Sequence, residues 1–168
     1  MGRVCAEYAS IRLFYFLGEE KRPGFDDTAT VRYVNLHGVA DDYMSASYKQ
    51  FLGLKYVHEN VRAKYVICIG TDTYLNVPKL MAYVRTFDYT ARLYIGGNGC
   101  VRQVGDSSYY FHSGGPGFIL THGAVQAIYE SNYDDLAKVV GDWTRVCHAN
   151  GVGHLTTACD VAVSYYVQ

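Results

Sequence analysis

Asp72 follows a continuous apolar run, KYVICI at residues 64–69, in the segment Gly70-Thr71-Asp72-Thr73. A carboxylate at the exit of a buried strand can face a crevice while its backbone stays rigid. There it can offer a hard oxygen ligand to Mg²⁺ or Mn²⁺, and such an ion neutralises a diphosphate. The same residue also suits a turn, where a short acidic side chain accepts hydrogen bonds from neighbouring amides. Asp160 carries a similar pair of readings. It follows Thr157 at the spacing of a capping box and adds negative charge to a first helical turn. It is also a candidate general base held at a helix start. Gly114, Gly115 and Gly117 around Pro116 allow close backbone approach to a ligand, or simply turn the chain between strands. His112, His122 and His154 are isolated, and each is read first as an ordinary surface or core histidine rather than a ligand or base.

These residues need elements to hold them. Residues 11–17 are apolar and aromatic and read as a strand, followed by the charged loop EEKRPG. Residues 31–36 (VRYVNL) make a second, short strand. From Asp41 the pattern becomes helical: Met44, Tyr48, Phe51, Leu52, Val57 and Val61 recur on one face, with Asp41 or Asp42 near the cap. The run at 64–69 has the pattern of a strand buried on both faces. Asn76 and Pro78 open a helix through about residue 86. Residues 92–95 form another strand, and a loop rich in Gly, Ser and Tyr leads to FHSGGPG. A short strand at 118–120 follows, with Thr121 capping the next helix. A further helix runs from Asp134 towards His148, and Thr157 begins a last one. Strands alternating with helices predict an α/β layer structure with a largely parallel sheet, whose ligands gather at the carboxyl ends of its strands.

Composition sets limits around this picture. The length of 168 residues suits one domain spanning 1–168. With 15 basic and 16 acidic side chains the net charge is −1, which gives no argument for a nucleic-acid partner. Five cysteines without CxxC spacing argue against a zinc site and a small disulfide framework, leaving room for one bridge. Neither GxGxxG before a helix nor GxxxxGK[ST] is present, so two common nucleotide fingerprints are missing. No stretch of roughly 18 apolar residues predicts a transmembrane helix, and no signal-peptide pattern opens the chain. The sequence reaches an apolar strand almost at once and ends on SYYVQ, still in an apolar pattern. It reads as a piece cut at both ends.

Taken in order, five segments resemble the inverting β1,3-glycosyltransferases of family 31. That group includes β1,3-galactosyltransferases, β1,3-N-acetylglucosaminyltransferases and the Fringe enzymes. LFYFLG is similar to the family's FLLG strand, and DDYMSASYKQFLGLKYV to its D.Y.NLTLKTL.GL.WV helix. KYVICIGTDTYLNVPKL resembles KY.LK.DDD.YVNV..L, YYFHSGGPGFILT resembles YP.YCSG.GYVLS, and ACDVAVSYYVQ resembles the EDVYVG helix. The wording of GTDTYLNVP and FHSGGPGF is similar to a divergent kinetoplastid branch that uses UDP-galactose or UDP-N-acetylglucosamine.

The resemblance implies a GT-A fold, a Rossmann-like core whose mostly parallel mixed sheet is flanked by helices. It implies transfer of galactose or N-acetylglucosamine from a UDP-sugar to a glycan hydroxyl with inversion, giving a β linkage such as β1,3. Asp72 matches the last Asp of the family's acidic triplet, which holds Mn²⁺ or Mg²⁺. Gly70 and Thr71 occupy the other triplet positions, so two acidic contacts to nucleotide or metal are lost. Ser113, Gly114 and Gly115 match the loop lining the sugar pocket. Asp160 matches the proposed catalytic base, with Cys159 in place of the preceding Glu. The resemblance further implies work in the Golgi or another secretory-pathway lumen, with a membrane anchor outside these residues. The losses at Gly70 and Thr71 also leave a rival expectation: an inactive or truncated relative that binds UDP-sugar or glycan without turnover.

Overall fold

Five α-helices and seven short strands form among the residues that the computed structural model describes, 10–19, 26–97, 99–130 and 136–168. The apolar run at the start becomes β1 (Leu13–Leu17), which pairs in parallel with β2 (Val31–Asn35), Leu13 opposite Val31. Most of the EEKRPG loop, the Asp134 helix start and Cys5 lie outside the described residues.

Helix α1 (Ala46–Asn60) starts later than the sequence pattern predicts. Asp42 Oδ1 accepts the Ser45 amide at 2.7 Å, and this local turn competes with a helical start. Asp41 instead pairs with Lys49 at 2.9 Å. Phe51, Leu54 and Val57 carry the buried stripe, whereas Met44 and Tyr48, expected on it, are exposed.

Strand β3 (Tyr65–Cys68) leads through α2 (Val77–Val84) to β4 (Tyr94–Gly96). Asn76 caps α2 as its sequence suggests: its side chain accepts the Lys79 amide at 3.1 Å, with Pro78 in the first turn. The Gly, Ser and Tyr segment predicted as a loop is a hairpin of β5 (Gly99–Val104) and β6 (Ser107–His112), closed by Gly105-Asp106. It sends the chain back into β7 (Phe118–Thr121), which lies between β3 and β4 and runs antiparallel to both.

The mostly parallel sheet expected from the sequence is therefore not found. One parallel pair, an antiparallel three-stranded sheet in the order β3-β7-β4 and the β5–β6 hairpin take its place. The reason is the hairpin, since two extra strands reverse the chain before β7. The architecture is nevertheless a mixed α/β one.

Helices α3 (His122–Glu130), α4 (Leu136–Ala149) and α5 (Cys159–Val167) join α1 around one core. Thr121 Oγ1 accepts the Ala124 amide at 3.3 Å, the cap predicted for α3. Trp143, fully buried, donates its indole N–H to the Leu155 carbonyl at 2.9 Å, so its one polar atom is satisfied. Phe118 and Leu120 point into this core. Ile67, Ile119 and Ile95 are register partners on the opposite face, and with Leu80 and Tyr83 of α2 they line a cavity of about 310 Å³. Strand β3 is half-buried rather than buried on both faces, because it is a sheet edge and one face fronts this cavity.

Candidate functional site

The chain leaves β3 through Gly70–Thr73 and enters β7 through Ser113–Gly117. The register Cys68 opposite Phe118 puts both loops at one end of the sheet. The second loop is a tight turn in which Gly117 N–H donates to the Gly114 carbonyl at 3.0 Å. Gly117 has φ +88°, and a Cβ there would lie 2.7 Å from Ile69 Cγ2 and 2.9 Å from the Cys68 carbonyl oxygen. Its glycine is thus explained by chain path and close packing on β3. Gly115 faces open space, and Thr73 donates its hydroxyl to the Gly115 carbonyl at 3.2 Å, tying the two loops together.

Asp160 joins the same group from α5. The capping box suggested by Thr157 does not form: α5 begins at Cys159, and Ala158 makes no side-chain cap. Asp160 Oδ2 instead accepts the Gly114 amide at 3.0 Å, across 46 residues, and Oδ1 accepts the Val161 amide at 2.9 Å. Each carboxylate oxygen keeps a further lone pair. The carboxylate is half-buried and held at both oxygens, and its charge sits in the first turn of a helix, where the backbone dipole favours it.

Asp72 is exposed and does not form the amide bonds of a turn aspartate. Among the described residues its carboxylate accepts no hydrogen bond, and the turn is made by Thr73 N–H donating to the Gly70 carbonyl at 3.3 Å. Asp72 Oδ1 leans over Gly70, 2.6 Å from where a Cβ on that glycine would sit. Gly70 and Thr71 are exposed beside it, and Ser113 is half-buried at the start of the other loop. No group of three His, Cys, Asp or Glu residues able to hold a metal ion exists among the described residues. A closed structural metal site does not fit this donor set. A hard divalent ion that keeps several waters and takes its other ligands from substrate phosphates does.

The histidines stand apart. His112 is buried, with its ring edge-on to Tyr94 and Tyr110, and among the described residues its Nδ1 has no partner. His122 opens α3, and His154 is exposed on the turn at Gly153–Leu155. Cys68, Cys100, Cys147 and Cys159 are free thiols. Burial pushes the Cys68 thiol up to about 12, with Cys159 adding to it, and the Cys159 thiol up to about 11, with the Asp160 charge adding to it.

A family model described as Fringe-like matches residues 28–163, a span that contains Asp72, Ser113–Gly115 and Asp160. The chain belongs to the Fringe-like family. This is a family of glycosyltransferases within the wider group that the five sequence segments resemble, and its members act on glycans. The mixed α/β architecture is consistent with a glycosyltransferase core. No curated protein sequence matches the chain significantly. Among the described residues no helix is long and apolar enough to cross a membrane.

Sequence reasoning missed Tyr94. It is one of 17 tyrosines, and nothing in its spacing separates it from the rest. Its hydroxyl lies within hydrogen-bond distance of the backbone of both His112 and Asp160.

Proposed function

We propose that this Fringe-like protein transfers galactose or N-acetylglucosamine from a UDP-sugar to a hydroxyl of a glycan acceptor, inverting the anomeric carbon and forming a β1,3 linkage. The observation that supports this reading best is the pair of bonds that joins three separate segments. Asp160 meets Gly114, and Thr73 meets Gly115, so Asp72, Ser113–Gly115 and Asp160 share one end of the sheet.

In this reading Asp160 is the general base. It accepts the proton of the acceptor hydroxyl as that oxygen attacks C1 of the donor sugar. The C1–oxygen bond to the diphosphate breaks, and UDP departs with the electron pair. The amides of Gly114 and Val161 fix the carboxylate so that little reorganisation is needed during proton transfer. Ser113, Gly114 and Gly115 line the donor sugar. Gly70 and Thr71 lie beside the nucleotide, and Asp72 would hold Mn²⁺ or Mg²⁺. Such an ion, when bound, supplies Lewis-acid neutralisation of the diphosphate. We place this activity in the lumen of the Golgi or another secretory compartment.

The test is transfer from radiolabelled UDP-galactose and UDP-N-acetylglucosamine to β-linked acceptor glycosides with Mn²⁺ present. NMR coupling of the new anomeric proton reads its configuration, and its correlation across the glycosidic oxygen reads the linked position. A β-linked product supports the proposal. Mn²⁺-dependent UDP binding without any product refutes it and favours a binding domain descended from the enzymes. The replacement of two triplet acids by Gly70 and Thr71 is the feature that would explain that outcome.

A further inference from the structure

Two loops and a helix start meet at the site, yet the bond from Gly114 to Asp160 does not by itself hold the backbone on either side of it. The hydroxyl of Tyr94 does reach both sides. Tyr94 lies on β4, and its ring is fixed edge-on between Phe118 and His112, with centroids 5.1 Å away in each case. The oxygen is 3.0 Å from the His112 carbonyl and 3.2 Å from the Asp160 carbonyl, and it accepts the His112 amide at 3.3 Å. His112 immediately precedes Ser113 and Gly114. One hydroxyl therefore ties β4, the start of the Ser113–Gly117 loop and the first turn of α5 together.

We propose that Tyr94 is a positioning residue for the transfer reaction, holding the Asp160 carboxylate against Gly114 through this shared hydrogen-bond node. Its phenol stays protonated well beyond neutral pH, because burial raises its pKa strongly and the neighbouring Asp160 charge adds to that. At neutral pH it thus keeps its one proton, which the two carbonyls share. The ring provides packing that phenylalanine would keep, so the hydroxyl's contribution can be separated from the ring's. The inference rests on Asp160 being the general base, and its test is built so that the two ideas can fail separately.

Tyr94→Phe is measured in the wild-type and Asp160→Asn backgrounds. In the wild-type background the loosened carboxylate should lower kcat about 10–100-fold, the scale set by small misplacements of a reacting group. KM for the UDP-sugar should stay unchanged. Backbone hydrogen exchange at Gly114 and Val161, whose amides the carboxylate protects, should speed up by about tenfold or more while the core helices keep their protection. In the Asp160→Asn background the same change should cost no residual activity, because a residue acting through Asp160 has nothing left to position. Equal losses in both backgrounds would overturn the positioning role, as would unchanged exchange at the two amides. If Asp160→Asn alone transfers normally, the base assignment falls, and the amide exchange then decides whether Tyr94 holds the carboxylate.

Discussion

Asp160→Asn isolates the role of the carboxylate with the smallest change of shape. The side chain keeps one acceptor oxygen, so it can satisfy either the Gly114 or the Val161 amide, but its NH₂ group must face the other. One hydrogen bond to a charged acceptor is thus lost, worth about 1.5–3 kcal/mol, and half-exposure of the residue favours the lower end. For a chain of this size that corresponds to a fall in Tm of roughly 3–6 °C. Loss of general-base help should lower kcat by about 10²–10⁴, which is about 2.7–5.4 kcal/mol of barrier. The catalytic loss is therefore expected to exceed the structural one. Differential scanning fluorimetry, calorimetric titration with UDP and Mn²⁺, and single-turnover transfer of labelled sugar measure the three quantities. UDP affinity should match wild type, since the proposed nucleotide contacts lie on the other loop. A folded Asp160→Asn protein with undiminished transfer would remove Asp160 as the base.

Other parts of the site make equally definite expectations. Gly117→Ala forces a side chain into left-handed backbone and against Ile69 and Cys68, so urea denaturation should show a loss of at least about 1–2 kcal/mol. Gly70→Asp restores one acid of the triplet and pushes Asp72 Oδ1 off the glycine. A unit-charge pair at 4 Å gains about 1 kcal/mol even in water, so an added carboxylate near a divalent ion should tighten Mn²⁺ binding roughly tenfold or more by EPR titration. Unchanged affinity would mean that this segment is not where the ion sits. Alkylation at pH 8 followed by mass spectrometry should label exposed Cys100 and spare Cys68 and Cys159, whose half-buried thiols resist ionisation. The same two thiols make stability fall as pH rises. Their folded values of about 12 and about 11 exceed the ordinary thiol value of 9.0, so deprotonation favours the unfolded chain from about pH 9 upward.

Local signals were readable wherever one short-range interaction decided the outcome. Asn76 with Pro78, and Thr121 before α3, name caps that form as the residue types suggest. Residues 64–69 read correctly as a strand, but their apolar run cannot say that β3 is an edge with a cavity on one face. The β5–β6 hairpin did leave a trace, because Gly105-Asp106 between Val104 and Ser107 is a two-residue turn signal between strand-forming residues. It was obscured by the glycines and serines on either side. Asp160 is the instructive case. Thr157 offers a local partner at the right spacing, and only tertiary structure supplies the competitor, the Gly114 amide far away in sequence, that takes the carboxylate instead.

The strand direction that the sequence pattern got wrong is also what makes the site possible. In a parallel sheet the loop leaving one strand and the loop entering its neighbour lie at opposite ends. Here β7 runs antiparallel to β3, and Cys68 pairs with Phe118, so the exit of β3 and the entrance of β7 coincide. That arrangement allows Thr73 to bond Gly115 and leaves the Gly114 amide at the same end for Asp160 to reach. The β5–β6 hairpin therefore does more than fill a connection between β4 and β7. By reversing the chain it carries the Ser113–Gly117 loop to the Asp72 end of the sheet. It also holds α5, since the Ser164 hydroxyl donates to the Tyr110 carbonyl at 2.6 Å, and α5 carries Asp160. Both halves of the proposed site, the loop that faces the donor and the base that faces the acceptor, thus depend on one two-residue turn at Gly105-Asp106.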